Sequence, residues 1–302
     1  ISREDYEKMT VTERQQALLQ GVVLEDSSLP ETETEFNDQE LPYTVTEGSG
    51  CRLEDGKIRV TEEGAKLKLS FEGLEESETY LITEGLDYEA LSPRELVSDK
   101  KWDKMNRYEK NQVLAEDSRW RYWKESQEAS IKVSGAFSEK KIKIFTDKYN
   151  AYSGKHNFLC NAGYSQKPIH TVTLTFENTG VYTYDSLKVV CQPVENIGQQ
   201  TRNLAKNVLS DIETETNVLR GSITLSKPKA LVISLPYSKG FTAYVDGEKA
   251  ELKQANTMYM ALELSEGEHE IKLVYCTPWL KEGAFLTLLG ALCYIGVVRK
   301  KR

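Results

Sequence analysis

At 302 residues, with 39% hydrophobic and 28% charged residues, the chain is long enough for two domains and apolar enough to fill their cores. The formal net charge of −8 is local: residues 1–50 hold twelve acids against three bases, and the rest is close to neutral at about +1. No strong basic face is implied, so no nucleic acid is expected as a partner.

Residues 1–24, ISREDYEKMTVTERQQALLQGVVL, read as one or two short helices, with Thr10 and Glu13 spaced as a capping box. Residues 25–48 are acidic, rich in Glu, Thr, Ser and Pro, and read as a linker or extended loop. From Lys57 the hydrophobic period becomes two. KIRV, KLKLSF and ETYLIT are strand-like and separated by glycine-containing turns. Residues 92–127 break that pattern. Ser92-Pro93-Arg94-Glu95 has the form of a cap, a first-turn proline and a capping-box acid, and a charged helical insertion with Trp102, Trp120 and Trp123 is expected behind it. Strands resume through KIKIF, HTVTLTF and VYTYDSLKVVC. Residues 195–217 turn helical again, with Leu204, Val208 and Ile212 at i, i+4, i+8. RGSITLS, ALVISLP, FTAYVDG, YMALELS and HEIKLVYC then follow at the spacing of a sandwich, with Asp246-Gly247 as a two-residue hairpin turn.

Ala284 to Val298 is fifteen residues without a charge, bordered by Trp279 and Leu280 before it and by Arg299, Lys300, Lys301 and Arg302 after it. An aromatic border and a basic end are what a membrane span carries. The positive-inside bias places the C-terminus in the cytoplasm and residues 1–280 outside. The competing reading is a buried C-terminal helix. A chain that begins at Ile1 without a signal peptide and ends in an anchor is expected to be a piece of something longer.

The expected fold is mainly β: an antiparallel β-sandwich-like extracytoplasmic region with helical insertions, followed by one C-terminal transmembrane helix. Its expected parts are a helical segment and acidic linker (1–45), a β-sandwich-like domain with a helical insertion (46–194, insertion about 92–127), a helix plus a smaller β unit (195–276), and the span (277–302). His156, His170 and His269 lack metal-ligand spacing, and no CxxC, GxSxG, Walker loop, dinucleotide fingerprint or HExxH occurs. No metal, cofactor or catalytic residue is therefore assigned. Cys51, Cys160, Cys191 and Cys276 fit either two extracellular disulfides or buried thiols.

The stretch LPYSKGFTAYVDG supplies Leu231, Ser234, Pro236, Tyr237, Ser238, Gly240, Phe241, Ala243, Tyr244, Val245, Asp246 and Gly247 to a longer pattern, continued by Gly267, Glu268, His269 and Ile271. Together with EKMTVTERQQALLQGVVLED, with Asn161 to Ser165 (NAGYS) and with GVYTYDSLKV, it resembles the bacterial membrane protein family YfhO over nearly the whole chain. Two positions depart from the family's pattern: Phe241 stands for its usual Trp and Ala162 for its Leu. The resemblance implies a polytopic, glycosyltransferase-like parent that glycosylates cell-envelope polymers such as lipoteichoic acid from a lipid-linked sugar. The catalytic acid is then expected in membrane-bundle loops outside these residues. This region would position or recognise the acceptor, so the implied partners are a cell-envelope glycopolymer or lipid-linked sugar and the membrane itself. The alternative is a membrane-anchored carbohydrate-binding or purely structural module with no enzyme attached. Candidate binding residues are Tyr237, Lys239 and Phe241 on the loop and Trp102, Trp120 and Trp123 in the insertion, because aromatic and basic groups suit a phosphorylated polyol or sugar chain. The plainer reading of the tryptophans is the packed side of a helix against a sheet.

Overall fold

The computed structural model describes residues 1–300; Lys301 and Arg302, half of the terminal basic cluster, lie outside the described residues. The fold is mainly antiparallel β, 41% strand against 21% helix, with one long apolar helix at the C-terminus. Two compact units are present, and they do not follow chain order. Residues 37–196 form one, and residues 1–36 together with 197–302 form the other.

The first unit is built on the predicted two-residue period. Along Ala65–Phe71, Leu67, Leu69 and Phe71 point inward while Lys66 and Lys68 are exposed. Thr171–Phe176 does the same with Val172, Leu174 and Phe176. These strands lie in a five-stranded sheet in the order Tyr43–Glu47, Ala65–Phe71, Thr171–Phe176, Glu128–Ser134 and Glu139–Phe145. A four-stranded sheet runs Gln39–Leu41, Ser186–Pro193, Ser77–Glu84, Phe158–Ser165. Another runs Cys51–Glu54, Lys57–Val60, Gly180–Thr183, Asp87–Ala90. The inward faces of all three meet in one continuous core. At one side of it Tyr182 is fully buried between Phe176 and Tyr88, with ring centroids 4.8 and 5.0 Å away, and its hydroxyl donates to the Asn178 carbonyl at 2.8 Å. Emptying such a position, as in Phe176→Ala, costs about 3–5 kcal/mol.

Gln39–Leu41 and Tyr43–Glu47 fall in the stretch expected to be a linker. Leu41 and the partly buried Tyr43 and Val45 are enough to hold them on the core, and they pair with Ser186–Pro193 and Ala65–Phe71. The capping box predicted at Ser92 forms, with Ser92 N–H donating to Glu95 at 2.8 Å, but closes only a turn. The helices of the insertion are Asp99–Lys104 and Arg107–Trp120.

In the second unit, Arg3–Lys8 and Val11–Ala17 are the two predicted N-terminal helices, and the Thr10/Glu13 capping box is present in both directions. A five-stranded sheet runs Ser210–Thr214, Val218–Leu225, Gly267–Tyr275, Phe241–Val245, Glu248–Ala250, and a three-stranded one runs Lys229–Pro236, Tyr259–Leu264, Lys253–Ala255. Ile223, Leu225, Met260, Leu262, Leu264, Ile271 and Leu273 fill the core of this unit. The helix expected through Leu204, Val208 and Ile212 stops at Ala205. Ser210–Thr214 instead pairs with Val218–Leu225, so ladder hydrogen bonds override a weak helical period.

The N-terminal segment straps the edge of the three-stranded sheet. Leu24 bridges Ala255, Val23 N–H donates to Asn256 Oδ1 at 2.9 Å, and the Asn256 N–H returns to the Val23 carbonyl at 3.0 Å. Next to it Glu263 accepts from the Ser27 and Ser28 hydroxyls, both at 2.7 Å, and pairs with Lys253 at 3.1 Å. Burial by itself would raise the Glu263 pKa, but these donors and the Ser28 N–H outweigh it and bring it down to about 2.

Leu280–Lys300 is a single 21-residue helix whose span-length stretch, Leu280–Arg299, is wholly exposed. That excludes the buried-helix reading within this chain, and at 1.5 Å per residue the helix is about 30 Å long, the thickness of a bilayer's hydrocarbon layer.

Two outcomes follow. Cys51, Cys160 and Cys191 are buried free thiols, and burial pushes Cys51 up to about 11, whereas Cys276 is exposed. Under native conditions a water-soluble maleimide is expected to label Cys276 and to spare those three until the fold opens, as read by mass spectrometry. A folded carboxylate held low stabilises above its ordinary pKa and loses that contribution as pH falls through its folded value. The strap is therefore expected to loosen between about pH 4.5 and 2, seen as faster hydrogen exchange at residues 22–28. Glu263→Ala releases it at neutral pH, at a local cost of about 2–3 kcal/mol for the lost bonds to a charged group.

Candidate functional site

The loop predicted as a contact surface is a tight turn. Phe241 N–H donates to the Ser238 carbonyl at 3.1 Å, and Ser238 Oγ accepts from Gly240 N–H at 3.2 Å. Gly240 is buried. A methyl group on it would sit 2.6 Å from the Tyr275 ring and 2.7 Å from the Cys276 carbonyl oxygen, so only glycine fits. Cys276 N–H donates to the Gly240 carbonyl at 2.9 Å, which fastens the loop to the chain just before the long helix. Phe241 packs on the second core with its ring 4.8 Å from that of Tyr275, leaving Tyr237 and Lys239 as the exposed side chains among the three loop candidates.

Farther along, Asp246 (φ 54°) and Gly247 (φ 87°) make the predicted hairpin turn of the primed kind, joining Val245 to Glu248. Asp246 does more than turn. Its Oδ2 meets His269 Nδ1 at 2.7 Å and its Oδ1 accepts from Glu270 N–H at 2.8 Å, which ties YVDG to GEHEI across the sheet. The hydrogen bond to Asp246 raises the His269 pKa, and the same bond lowers that of Asp246.

The three tryptophans have different surroundings. Trp102 lies under the Arg94 guanidinium at 4.2 Å from its ring centroid, with the Lys110 ammonium at 5.5 Å. Trp120 packs against the first core, and Trp123 is exposed. No ring-to-ring contact links them among the described residues.

A concave site in the first unit lies elsewhere. A groove of about 340 Å³ is lined by Lys141, Ile142, Lys143, Phe145, Tyr152, Ser153, Lys155 and Phe158. Its wall is the sheet-edge strand Glu139–Phe145. Ile142 and Ile144 alternate into the core, so Lys141, Lys143 and Phe145 are left on the outer face. The loop that follows forms the other side. Phe145 stacks on Tyr149 with centroids 5.0 Å apart, Tyr152 Oη meets His156 Nε2 at 3.2 Å, and Lys155 Nζ lies 5.1 Å from the Phe158 ring centroid. Lys141 pairs with Glu177 at 2.5 Å and Lys143 with Glu128 at 3.3 Å; Lys155 reaches no carboxylate within ion-pair distance among the described residues. Exposed pairs of this kind are worth about 0.2–1 kcal/mol, so an arriving anion displaces them at small cost. Ammonium donors beside aromatic faces suit a phosphate-bearing polyol or sugar.

Reasoning from sequence missed this groove. The signal is in KKIKIFTDKYNAYSGKHNF, residues 140–158, where five lysines and four Phe or Tyr fall in nineteen positions. Strand alternation sorts them to one side only once the edge position of Glu139–Phe145 is known.

Comparison with known proteins agrees with the motifs. Residues 1–287 match the family described as "Bacterial membrane protein YfhO". A curated relative, "Uncharacterized protein YfhO" of Bacillus subtilis (strain 168), is 24% identical over 175 residues, covering 55% of this chain and 20% of that protein. The chain thus spans about a fifth of the length of that relative. It belongs to the YfhO family.

One outcome follows from the hairpin. A raised histidine pKa contributes stability that is complete below about 6.5 and is lost as pH rises through the folded value. The lowered Asp246 pKa contributes above about 3.9 and is lost as pH falls. The clasp is therefore expected to be tightest between about pH 4 and 6.5. NMR titration should place the His269 midpoint above its ordinary value, and Asp246→Asn should bring it back while speeding exchange of the amides of residues 244–249.

Proposed function

We propose that this chain is the extracytoplasmic C-terminal region of a membrane glycosyltransferase-like protein, and that it holds the acceptor, an anionic cell-envelope polymer of the lipoteichoic-acid type, close to the membrane. Residues 1–280 stand outside and the C-terminus is cytoplasmic, in keeping with the positive residues that follow the span. Transfer of the sugar, from a lipid-linked donor, belongs to a part of the parent beyond this chain.

The observation that carries this reading is the groove along Glu139–Phe145, where Lys141, Lys143 and Lys155 stand beside Phe145, Tyr152 and Phe158. A repeating phosphodiester offers one negative charge per unit for the lysines, and its polyol or sugar carbons offer C–H faces for the rings. Such binding is shallow and polyvalent, which suits a polymer that must slide past as successive units are modified. The exposed Trp123, and Tyr237 and Lys239 on the other unit, remain secondary contact candidates under this proposal.

Its test uses the chain reconstituted in nanodiscs, with poly(glycerol phosphate) fragments as ligand and a neutral glucan as control. The charged polymer is expected to bind and to weaken with added salt. Lys141→Gln with Lys143→Gln and Lys155→Gln should reduce affinity about tenfold or more, equivalent to about 1.4 kcal/mol, with the thermal midpoint unchanged. Equal binding by the triple variant, or equal binding of the neutral glucan, removes the groove as the acceptor site.

A further inference from the structure

The second unit gathers an unusual set of side chains at one end. Leu235, Tyr237 and Met258 are 36%, 38% and 52% exposed, large apolar groups that no core position requires. They are held side by side, because Tyr237 N–H donates to the Met258 carbonyl at 2.7 Å and Pro236 is in register with Tyr259. Lys239 stands exposed at the tip of the same turn. Behind the tip, the Gly240 carbonyl accepts from Cys276 N–H, and the space beside Gly240 is filled by Tyr275, Cys276 and Pro278. Trp279, 80% exposed, comes next, and the apolar helix starts at Leu280.

This places a constraint on distance. Leu280 is four residue steps from Cys276, at most about 14 Å of extended chain. Leu280 N–H folds back onto the Thr277 carbonyl at 3.2 Å, which shortens it further. The turn at 236–240 is hydrogen-bonded to the start of that connection. Wherever the helix enters a bilayer, this end of the unit lies within about a headgroup layer's depth of it. The hairpin at Asp246-Gly247 is at the opposite end of Phe241–Val245, roughly 17 Å away at the rise of a strand.

We propose that Leu235, Tyr237, Lys239, Met258 and Trp279 form a membrane-seating surface, resting in the interfacial layer of the phospholipid bilayer that Leu280–Arg299 crosses. Tyr and Trp are amphipathic and partition to headgroup depth, Leu and Met supply apolar area without a polar group to desolvate, and the Lys239 stem lies along the surface with its ammonium among phosphates. Two anchoring points, the helix and this surface, fix the tilt of the unit over the membrane, which one helix behind a free linker does not. The Pro236–Gly240 motif then serves contact with lipid. This inference is independent of the groove, which lies in the other unit.

The test is depth-dependent quenching of the whole chain in phosphatidylethanolamine–phosphatidylglycerol nanodiscs. Cys276→Ser and Cys293→Ser remove the exposed thiols, and the buried ones stay unreactive. A single environment-sensitive fluorophore is then placed through Met258→Cys or, at the distal hairpin, Glu248→Cys. Lipid carrying a headgroup nitroxide is expected to quench the probe at 258 at least threefold more than the probe at 248. Tyr237→Asp with Leu235→Asp should cut the quenching at 258 by half or more while slow hydrogen exchange along Gly267–Tyr275, the middle strand of the same unit, certifies its fold. Equal quenching at the two sites, or quenching at 258 that is indifferent to the aspartates in a folded chain, overturns the proposal.

Discussion

Gly267–Tyr275 is the strand on which the second unit depends. It is the middle strand of its sheet, paired on one side with Val218–Leu225 and on the other with Phe241–Val245, and after Tyr275 only a few residues remain before the long apolar helix. Its two ends are fixed by different means. At one, Asp246 grips His269 and the Glu270 amide; at the other, Gly240 gives up its side chain so that Tyr275 and Cys276 can close against it. The sheet and the apolar helix thus share a continuous backbone with no slack segment, and a family motif that reads as a possible ligand loop has a mechanical cause at almost every position.

The parts of the fold most legible in the sequence were those governed by local rules. Lys66 to Phe71 and Thr171 to Phe176 alternate because one face is buried, and they do so wherever they are placed in space. Thr10 with Glu13, and Asp246 with Gly247, satisfy nearby backbone groups and need no distant partner. What escaped is what distant partners decide. Residues 39–47 look like a linker by composition, yet a row of waiting donors and acceptors on Ser186–Pro193 and Ala65–Phe71 makes them strands. Ile212 has a helical spacing from Leu204 but lies in the strand Ser210–Thr214, at the bulge between Ser210 and Glu213. Of the candidate site, the aromatic and basic residue types were readable, but their grouping was not. Trp102, Trp120 and Trp123 are near in sequence and separate in environment, while Lys141 and Lys155 are fourteen positions apart and line one groove.

The chemistry divides along the same line as the units. Residues 37–196 carry the concave, cationic and aromatic surface, and the other unit carries the long apolar helix. Neither needs a strong individual interaction. The lysines of the groove are held by exposed ion pairs of small net worth, so they remain available to a ligand, and the sandwich beneath is stabilised by buried aliphatic and aromatic area and not by those charges.

The N-terminal strap has a consequence for the order of events during synthesis. Ser27 and Ser28 wait for Glu263, some 236 positions later, so the unit they belong to closes only after residues 37–196 have been made. The intervening residues 37–196 have every strand partner within themselves and are complete long before. A ribosome therefore delivers one finished body while the flanks that embrace it in sequence are still open.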